Sequence, residues 1–201
     1  EMIAAHYNHP SIYIWGILNE CASDTAYGRE CYKTQLELIK SLDVTRPRSF
    51  SSCRFKTDIC FDLVDVVSYN IYPKWYHNTP VAMYLDDLYK WVQTTGGAGK
   101  PFLITEVGAG AIYGYRTPAK VKWSEEYQVL ALEEQLGAIL SYKDCSGVYI
   151  WQFCDVRVTN DWWNTRPRTM NNKGIVDEYR RPKLSYETVK RIFGSVDTYR
   201  K

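Results

Sequence analysis

Along the chain, short apolar runs alternate with longer stretches of helical periodicity. Ile12-Tyr-Ile-Trp-Gly-Ile-Leu18 is almost continuously apolar, as a strand buried on both faces should be. Residues 26–42 read as a helix, stopped ahead of Arg46-Pro47. A weak strand follows at 49–53, and the β-branched run Leu63-Val-Asp-Val-Val-Ser-Tyr69 predicts another, over 63–70. Residues 81–94 form an aromatic-rich helix ended by Gly96-Gly97-Ala98-Gly99. Pro101-Phe-Leu-Ile-Thr105 is the next strand. From Ser124 a further helix places Val129, Leu132, Leu136 and Ile139 on one face, with Glu125 and Glu126 in the first turn, where the helix dipole favours acids. Gly147-Val-Tyr-Ile-Trp-Gln-Phe153 is a fifth strand, followed by a long polar and aromatic loop, and a helix over Tyr186 to Phe193 comes last.

This alternation predicts an α/β fold in which parallel strands are joined by crossover helices. The five strands, 12–18, 49–53, 63–70, 101–105 and 147–153, are too few to close an eight-stranded barrel. No internal repeat or low-complexity segment interrupts the pattern.

Composition adds limits. The 201 residues suit one sizeable core, and a formal charge of +2 gives no electrostatic case for nucleic acid or an anionic membrane. No apolar run approaches the ~18 residues of a membrane span. Seven Trp and 17 Tyr fit two readings, dense core packing or a concave site that stacks against sugar rings. Six cysteines (Cys21, Cys31, Cys53, Cys60, Cys145, Cys154) have no C-x-x-C or zinc spacing, so they read as reduced thiols, which favours a cytoplasmic protein. The opening EMIAAHYNHP is neither a signal peptide nor a convincing natural start, so the chain is expected to begin mid-protein, and any export signal to lie outside it.

Two acids stand directly after buried apolar strands. Glu20 follows Ile17-Leu18-Asn19, and Glu106 follows Leu103-Ile104-Thr105. Burying a carboxylate is costly, so this placement suits either a satisfied ion pair or cap, or chemistry at the strand C-termini of a barrel. Two such acids on one rim fit glycosidic cleavage, with retention of configuration when they lie about 5–5.5 Å apart.

The ordered motifs support that reading. Asn8-His9-Pro10-Ser11-Ile-Tyr-Ile-Trp15 through Asn19-Glu20 resembles the acid/base signature of glycoside hydrolase family 2, and Ile104-Thr105-Glu106-Val-Gly108 resembles its nucleophile segment. Trp123-Ser-Glu-Glu-Tyr-Gln128, Trp151-Gln-Phe-Cys-Asp155 and Asn172-Lys173-Gly174-Ile175 continue the match in order. The resemblance implies strands four to eight of a TIM (β/α)8 barrel, with three strands and the upstream β-sandwich domains absent. It also implies that Glu20 is acid/base, Glu106 is nucleophile and Asn19 bonds the sugar 2-hydroxyl. Tyr72 and Tyr76 would then line the site, one of them holding the nucleophile.

For the sugar, Asn171-Asn172-Lys173 resembles the Asn-x-Lys signature of the family's β-glucuronidases. There an amide and an ammonium would bind the C6 carboxylate, with Arg168 as a second cation and Trp151 as a wall. Related β-galactosidases carry a similar Asn-Asp-Lys-Gly run, and Val156 to Arg168 differs in length from familiar glucuronidases. The alternatives are therefore a β-galactosidase, a β-galacturonidase or a non-catalytic fragment. The expected partner is a carbohydrate (β-glucuronide or β-galactoside), with no nucleic acid, membrane, metal or organic cofactor. The full-length protein is expected to be a homo-oligomer. The chain alone is expected to be inactive and, through open strand edges, to self-associate. His6, His9 and His77 have no partner pattern, and Arg180-Arg181-Pro182-Lys183 reads as a solvated stretch.

Overall fold

In the computed structural model the described residues are 1–196. The chain divides into two compact units. The first is Glu1–Ile71, Leu85–Thr105 and Asp144–Gly147, and the second is Tyr72–Tyr84, Glu106–Lys143 and Val148–Lys201.

The first unit holds a five-stranded sheet of β1 (Trp15–Asn19), β2 (Arg48–Ser52), β3 (Val67–Asn70), β4 (Phe102–Val107) and β5 (Cys145–Ile150), arranged in sequence order. β1 pairs parallel with β2, and β2 with β3. β4 and β5 run on at their C-terminal ends into the second unit. A short helix, α1 (Met2–His6), was not anticipated, and β1 begins at Trp15 rather than Ile12. The reason is local. The Ile12 carbonyl accepts Arg46 Nε at 2.7 Å, and the ladder starts where Trp15 N donates to the Pro47 carbonyl at 2.9 Å.

Helix α2 (Ala26–Leu42) matches its predicted span. Thr25 caps it, accepting from Gly28 N at 3.0 Å, and Asp43 ends it. Tyr32, Leu36 and Ile39, spaced one and two turns apart, are its buried stripe. Tyr32, Phe50, Phe61, Tyr69 and Phe102 form a connected aromatic row, with successive centroids 4.5, 5.9, 5.2 and 6.1 Å apart. Burial of each such ring stabilises the unit by about 1.5–3 kcal/mol. The strand expected over 63–70 begins only at Val67, because Leu63 ends a 3-10 turn, Phe61–Leu63, in which Phe61 is buried.

The second unit packs α4 (Glu125–Ser141) with α5 (Leu184–Gly194). Ser124 caps α4 through Tyr127 N at 3.2 Å. Leu132, Leu136 and Ile139 are buried as predicted, but Glu125, Gln128 and Gln135 are buried as well. Trp75, Ala109 and Ala131, with Tyr72, Trp123 and Tyr127 against them, make a second core. The long loop contains a two-residue hairpin, β6 (Val156–Arg157) with β7 (Met170–Asn171). Helix α3 (Val81–Thr94) also matches its predicted span. The six cysteines are free thiols.

Candidate active site

In the first unit, Asn19 and Glu20 end β1 with exposed side chains. Glu20 takes a positive φ of 55°, with its N–H held by the Ser51 carbonyl at 2.8 Å. Asn70, at the end of β3, donates from Nδ2 to Asn19 Oδ1 at 2.8 Å and to Glu20 Oε1 at 2.9 Å. Thr105 Oγ1 donates to Asn70 Oδ1 at 2.8 Å. The Glu20 carboxylate accepts only, so it fixes which way the Asn70 amide points. Asn19 accepts from Asn70 through its oxygen, which leaves its amide hydrogens free to donate.

In the second unit, Tyr72 donates its hydroxyl to Glu106 Oε2 at 2.5 Å. Of the two tyrosines expected near Glu106, it is Tyr72 whose hydroxyl reaches it. Tyr76 stacks edge-on against Tyr72 at 5.2 Å and accepts Lys173 Nζ at 2.8 Å. Lys173 is only 3% exposed and sits in an aromatic cage, 4.6 Å from the Tyr72 centroid, 4.9 Å from that of Tyr76 and 5.9 Å from that of Trp75. Burial pushes its ammonium pKa down, against the hydrogen bond it donates to Tyr76, which raises it. No carboxylate forms an ion pair with it among the described residues.

Asn171 Oδ1 accepts from Lys173 N at 3.2 Å, so the first and third residues of Asn171-Asn172-Lys173 are joined. Trp151 is 39% exposed at the end of β5, its N–H on the Val107 carbonyl at 2.9 Å. A Cβ on Gly108 would lie 2.4 Å from the Trp151 carbonyl oxygen, so the chain after Glu106 needs glycine there. Arg168 is not brought to this cluster: it pairs with Glu178 at 2.5 Å. Arg166, two positions earlier, is the arginine that reaches the cluster, donating to the Tyr76 hydroxyl at 3.3 Å. Burial acts to raise the Tyr76 pKa, but Lys173 and Arg166 outweigh it and hold the phenol below its ordinary value.

A buried polar lattice holds these loops. Gln128 Nε2 donates to the carbonyls of Ala109 at 2.9 Å and Gly174 at 3.0 Å. Lys183 Nζ reaches the Ala111 carbonyl at 2.6 Å, the Asn172 carbonyl at 3.0 Å and Asp155 Oδ1 at 2.8 Å. Asp155 Oδ1 also accepts Gly174 N at 2.8 Å. The segment after Glu106 and the segment Asn171-Asn172-Lys173-Gly174 are thus tied to each other by two side chains. Lys183 is fully buried rather than solvated. Glu125 is buried too, accepting Gly114 N at 2.7 Å and Leu184 N at 2.6 Å.

With this geometry in place, comparison with known proteins is decisive. The sequence profile of the glycosyl hydrolases family 2, TIM barrel domain, matches residues 1–198. The chain belongs to glycosyl hydrolase family 2. Its family 2 neighbours include the β-galacturonidase of Eisenbergiella tayi in a crystal structure bound to galacturonate, with 75% identity and a TM-score of 0.95 over 97% of this chain and 35% of that one. The β-glucuronidase of Ruminococcus gnavus with D-glucuronic acid gives 27% identity and a TM-score of 0.84 over 96% of this chain and 34% of that one. The rat (Rattus norvegicus) β-glucuronidase is 32% identical over 197 residues, 92% of this chain and 29% of that protein. The chain thus spans about a third of the family 2 proteins it matches. The five-stranded α/β sheet is part of the family's TIM barrel.

Within the family 2 frame, several residues were missed by sequence reasoning. Asn70 carried the same signal as Glu20 and Glu106, a polar side chain directly after an apolar strand, and was read only as strand. Arg166, Gln128 and the Lys183–Asp155 pair act through loop conformations that have no periodicity to read.

Proposed function

We propose that the chain is the C-terminal part, strands four to eight, of a (β/α)8 catalytic domain whose full-length parent hydrolyses terminal β-uronides with retention. The observation that carries this reading is Lys173, an ammonium buried in an aromatic cage without a carboxylate partner among the described residues. Burying an ammonium without a direct ion pair is costly, Tyr76 and the Glu106 charge offset only part of it, and a ligand carboxylate would lower the rest. Arg166, sharing the Tyr76 hydroxyl, is the second cation.

In the first step Glu106 attacks the anomeric carbon as the glycosidic C–O bond breaks, and Glu20 gives its proton to the leaving oxygen. The Tyr72 hydroxyl holds the Glu106 carboxylate in its attacking orientation. In the second step Glu20 takes a proton from water, the water oxygen bonds to the anomeric carbon, and the ester to Glu106 breaks. Asn19, held by Asn70 through its oxygen, presents its amide to the sugar 2-hydroxyl.

Glucuronide and galacturonide share the C6 carboxylate and differ only at C4. The 75% identity to a β-galacturonidase puts galacturonide first, and the Asn-x-Lys motif with the 27–32% identical β-glucuronidases supports glucuronide second. The test is turnover of aryl β-galacturonide, β-glucuronide and β-galactoside by the full-length parent. Glu106→Gln should abolish turnover of all substrates. Lys173→Ala should cost uronides about 2–5 kcal/mol, roughly 30-fold to several thousand-fold in kcat/KM, and barely affect a galactoside. Hydrolysis of the galactoside alone would overturn the uronide reading.

A further inference from the structure

In the first unit, polar side chains toward the strand C-termini converge on one buried amide. Asn70, 5% exposed at the end of β3, has two amide hydrogens and an acceptor for each, Asn19 Oδ1 at 2.8 Å and Glu20 Oε1 at 2.9 Å. Its carbonyl oxygen takes the Thr105 hydroxyl at 2.8 Å. These partners stand on β1, β3 and β4, so the sheet rather than the local chain brings them together.

The amide is held one way round. With its nitrogen and oxygen exchanged, Asn70 would set its carbonyl oxygen against the Glu20 carboxylate, and two acceptors would meet with no hydrogen between them. Thr105 secures the same choice from the other side by donating to that oxygen. Burial gives the choice its weight, since an amide removed from water has no solvent partner to turn to.

Glu20 needs such a partner. Its backbone is set by the positive φ of 55° and the bond to the Ser51 carbonyl, but its side chain is exposed. A free glutamate samples several staggered rotamers, whereas a general acid must keep its proton within hydrogen-bond reach of the leaving oxygen. The Asn70 bond goes to Oε1. In a protonated carboxyl the carbonyl oxygen is the better acceptor, so an N–H on Oε1 leaves Oε2 to carry the proton.

We propose that Asn70 is a positioning residue for the acid/base: it holds Glu20 through Oε1, reserves Oε2 for the proton that passes to the leaving oxygen, and with the same amide holds Asn19. The inference rests on the roles proposed above for Glu20 and Asn19 and deepens them. In the first step the Oε2–H bond breaks as an O–H bond forms on the leaving oxygen, and its electron pair stays on the carboxylate. The Asn70 bond then has an anion as acceptor and becomes roughly twice as strong, so it stabilises Glu20 as the proton leaves. In the second step Oε2 receives a proton from the attacking water, and Glu20 is an acid again. Thr105 acts one bond further out, by keeping the Asn70 amide the right way round.

The experiment measures kcat/KM of the full-length parent for two uronides of the same sugar. One has a dinitrophenyl leaving group, which departs without a proton, and the other an alkyl leaving group, which needs one. Asn70→Leu, which keeps the volume and removes both donors, should raise the dinitrophenyl-to-alkyl ratio by about tenfold or more, as expected of a lost hydrogen bond to a charged group. A merely structural role would lower both rates alike, because both substrates present the same sugar to the same site. Thr105→Val should shift the ratio in the same direction by less, and Thr105→Ser, which keeps the hydroxyl, should bring it back. An unchanged ratio in Asn70→Leu, or in Thr105→Val where Asn70→Leu does not fold, would overturn the positioning role and leave the acid reading intact. Glu20→Gln should raise the ratio further still, and an unchanged ratio there would overturn Glu20 as the acid and the inference with it.

Discussion

Lys173 carries the argument at the scale of single residues, because burial disfavours its charged form more than the Tyr76 hydroxyl and the more distant Glu106 charge favour it. A bound uronate would favour the charged form, so affinity and protonation are linked. The sign follows from the direction of the shift. With the ammonium pKa below the ordinary lysine value, the proton is lost at lower pH than in an ordinary lysine, and carboxylate recognition goes with it. KM for a uronide is therefore expected to rise with pH through that lowered pKa, while KM for a neutral galactoside stays flat. Lys173→Arg, which keeps its charge, should abolish the alkaline rise in pH-resolved steady-state kinetics. A uronide KM insensitive to pH up to the ordinary lysine pKa would contradict the cage reading. The same scale shows a limit of sequence reasoning: Arg168 and Arg166 differ by two positions in an irregular loop, and only the fold shows that Arg168 turns to Glu178 and Arg166 to Tyr76.

At the scale of elements, α4 and the start of α5 hold the loops packed beside them. Gln128 on α4 and Lys183 just ahead of α5 hold the backbone carbonyls of Ala109, Ala111, Asn172 and Gly174. Burial raises Asp155 to about 6 against the opposing charge of Lys183, which shows how fully the pair is removed from water. Removing the cation alone leaves a buried carboxylate, so Lys183→Met is expected to cost about 3–5 kcal/mol in chemical denaturation of the full-length protein. It should also raise uronide KM more than it lowers kcat. A loss under about 1 kcal/mol would show that the lattice is not what holds these loops. The elements were mostly legible: the apolar spacing of Tyr32, Leu36 and Ile39 defines α2, and the Gly96-Gly97-Ala98-Gly99 breaker ends α3. The boundaries of β1 and the turn at Phe61 were not, because Arg46 and buried side chains decide them rather than local periodicity. The buried glutamines of α4 were invisible for a similar reason, since polar residues on a helix read as solvent-facing until a loop is placed over them.

At the scale of the whole molecule, the strand-end positions of Glu20 and Glu106, which we propose as the catalytic pair, were legible because apolar runs mark where the parallel strands end. The lattice was not, because it joins loops far apart in sequence. β1 and β5 are the end strands of the sheet, and unpaired strand edges invite pairing with another copy. The 201-residue chain alone is expected to elute above the size of its 23.4 kDa monomer and to show no glycosidase activity. A monodisperse, active monomer would contradict that expectation. The most direct test of the central claim is covalent trapping of the full-length parent with a 2-fluoro-uronosyl fluoride, whose electron-poor ring slows release of the glycosyl-enzyme ester. Peptide mass mapping should find the label on Glu106, and on no residue of Glu106→Gln. Label on another residue, or undiminished uronide turnover in Glu106→Gln, would contradict it.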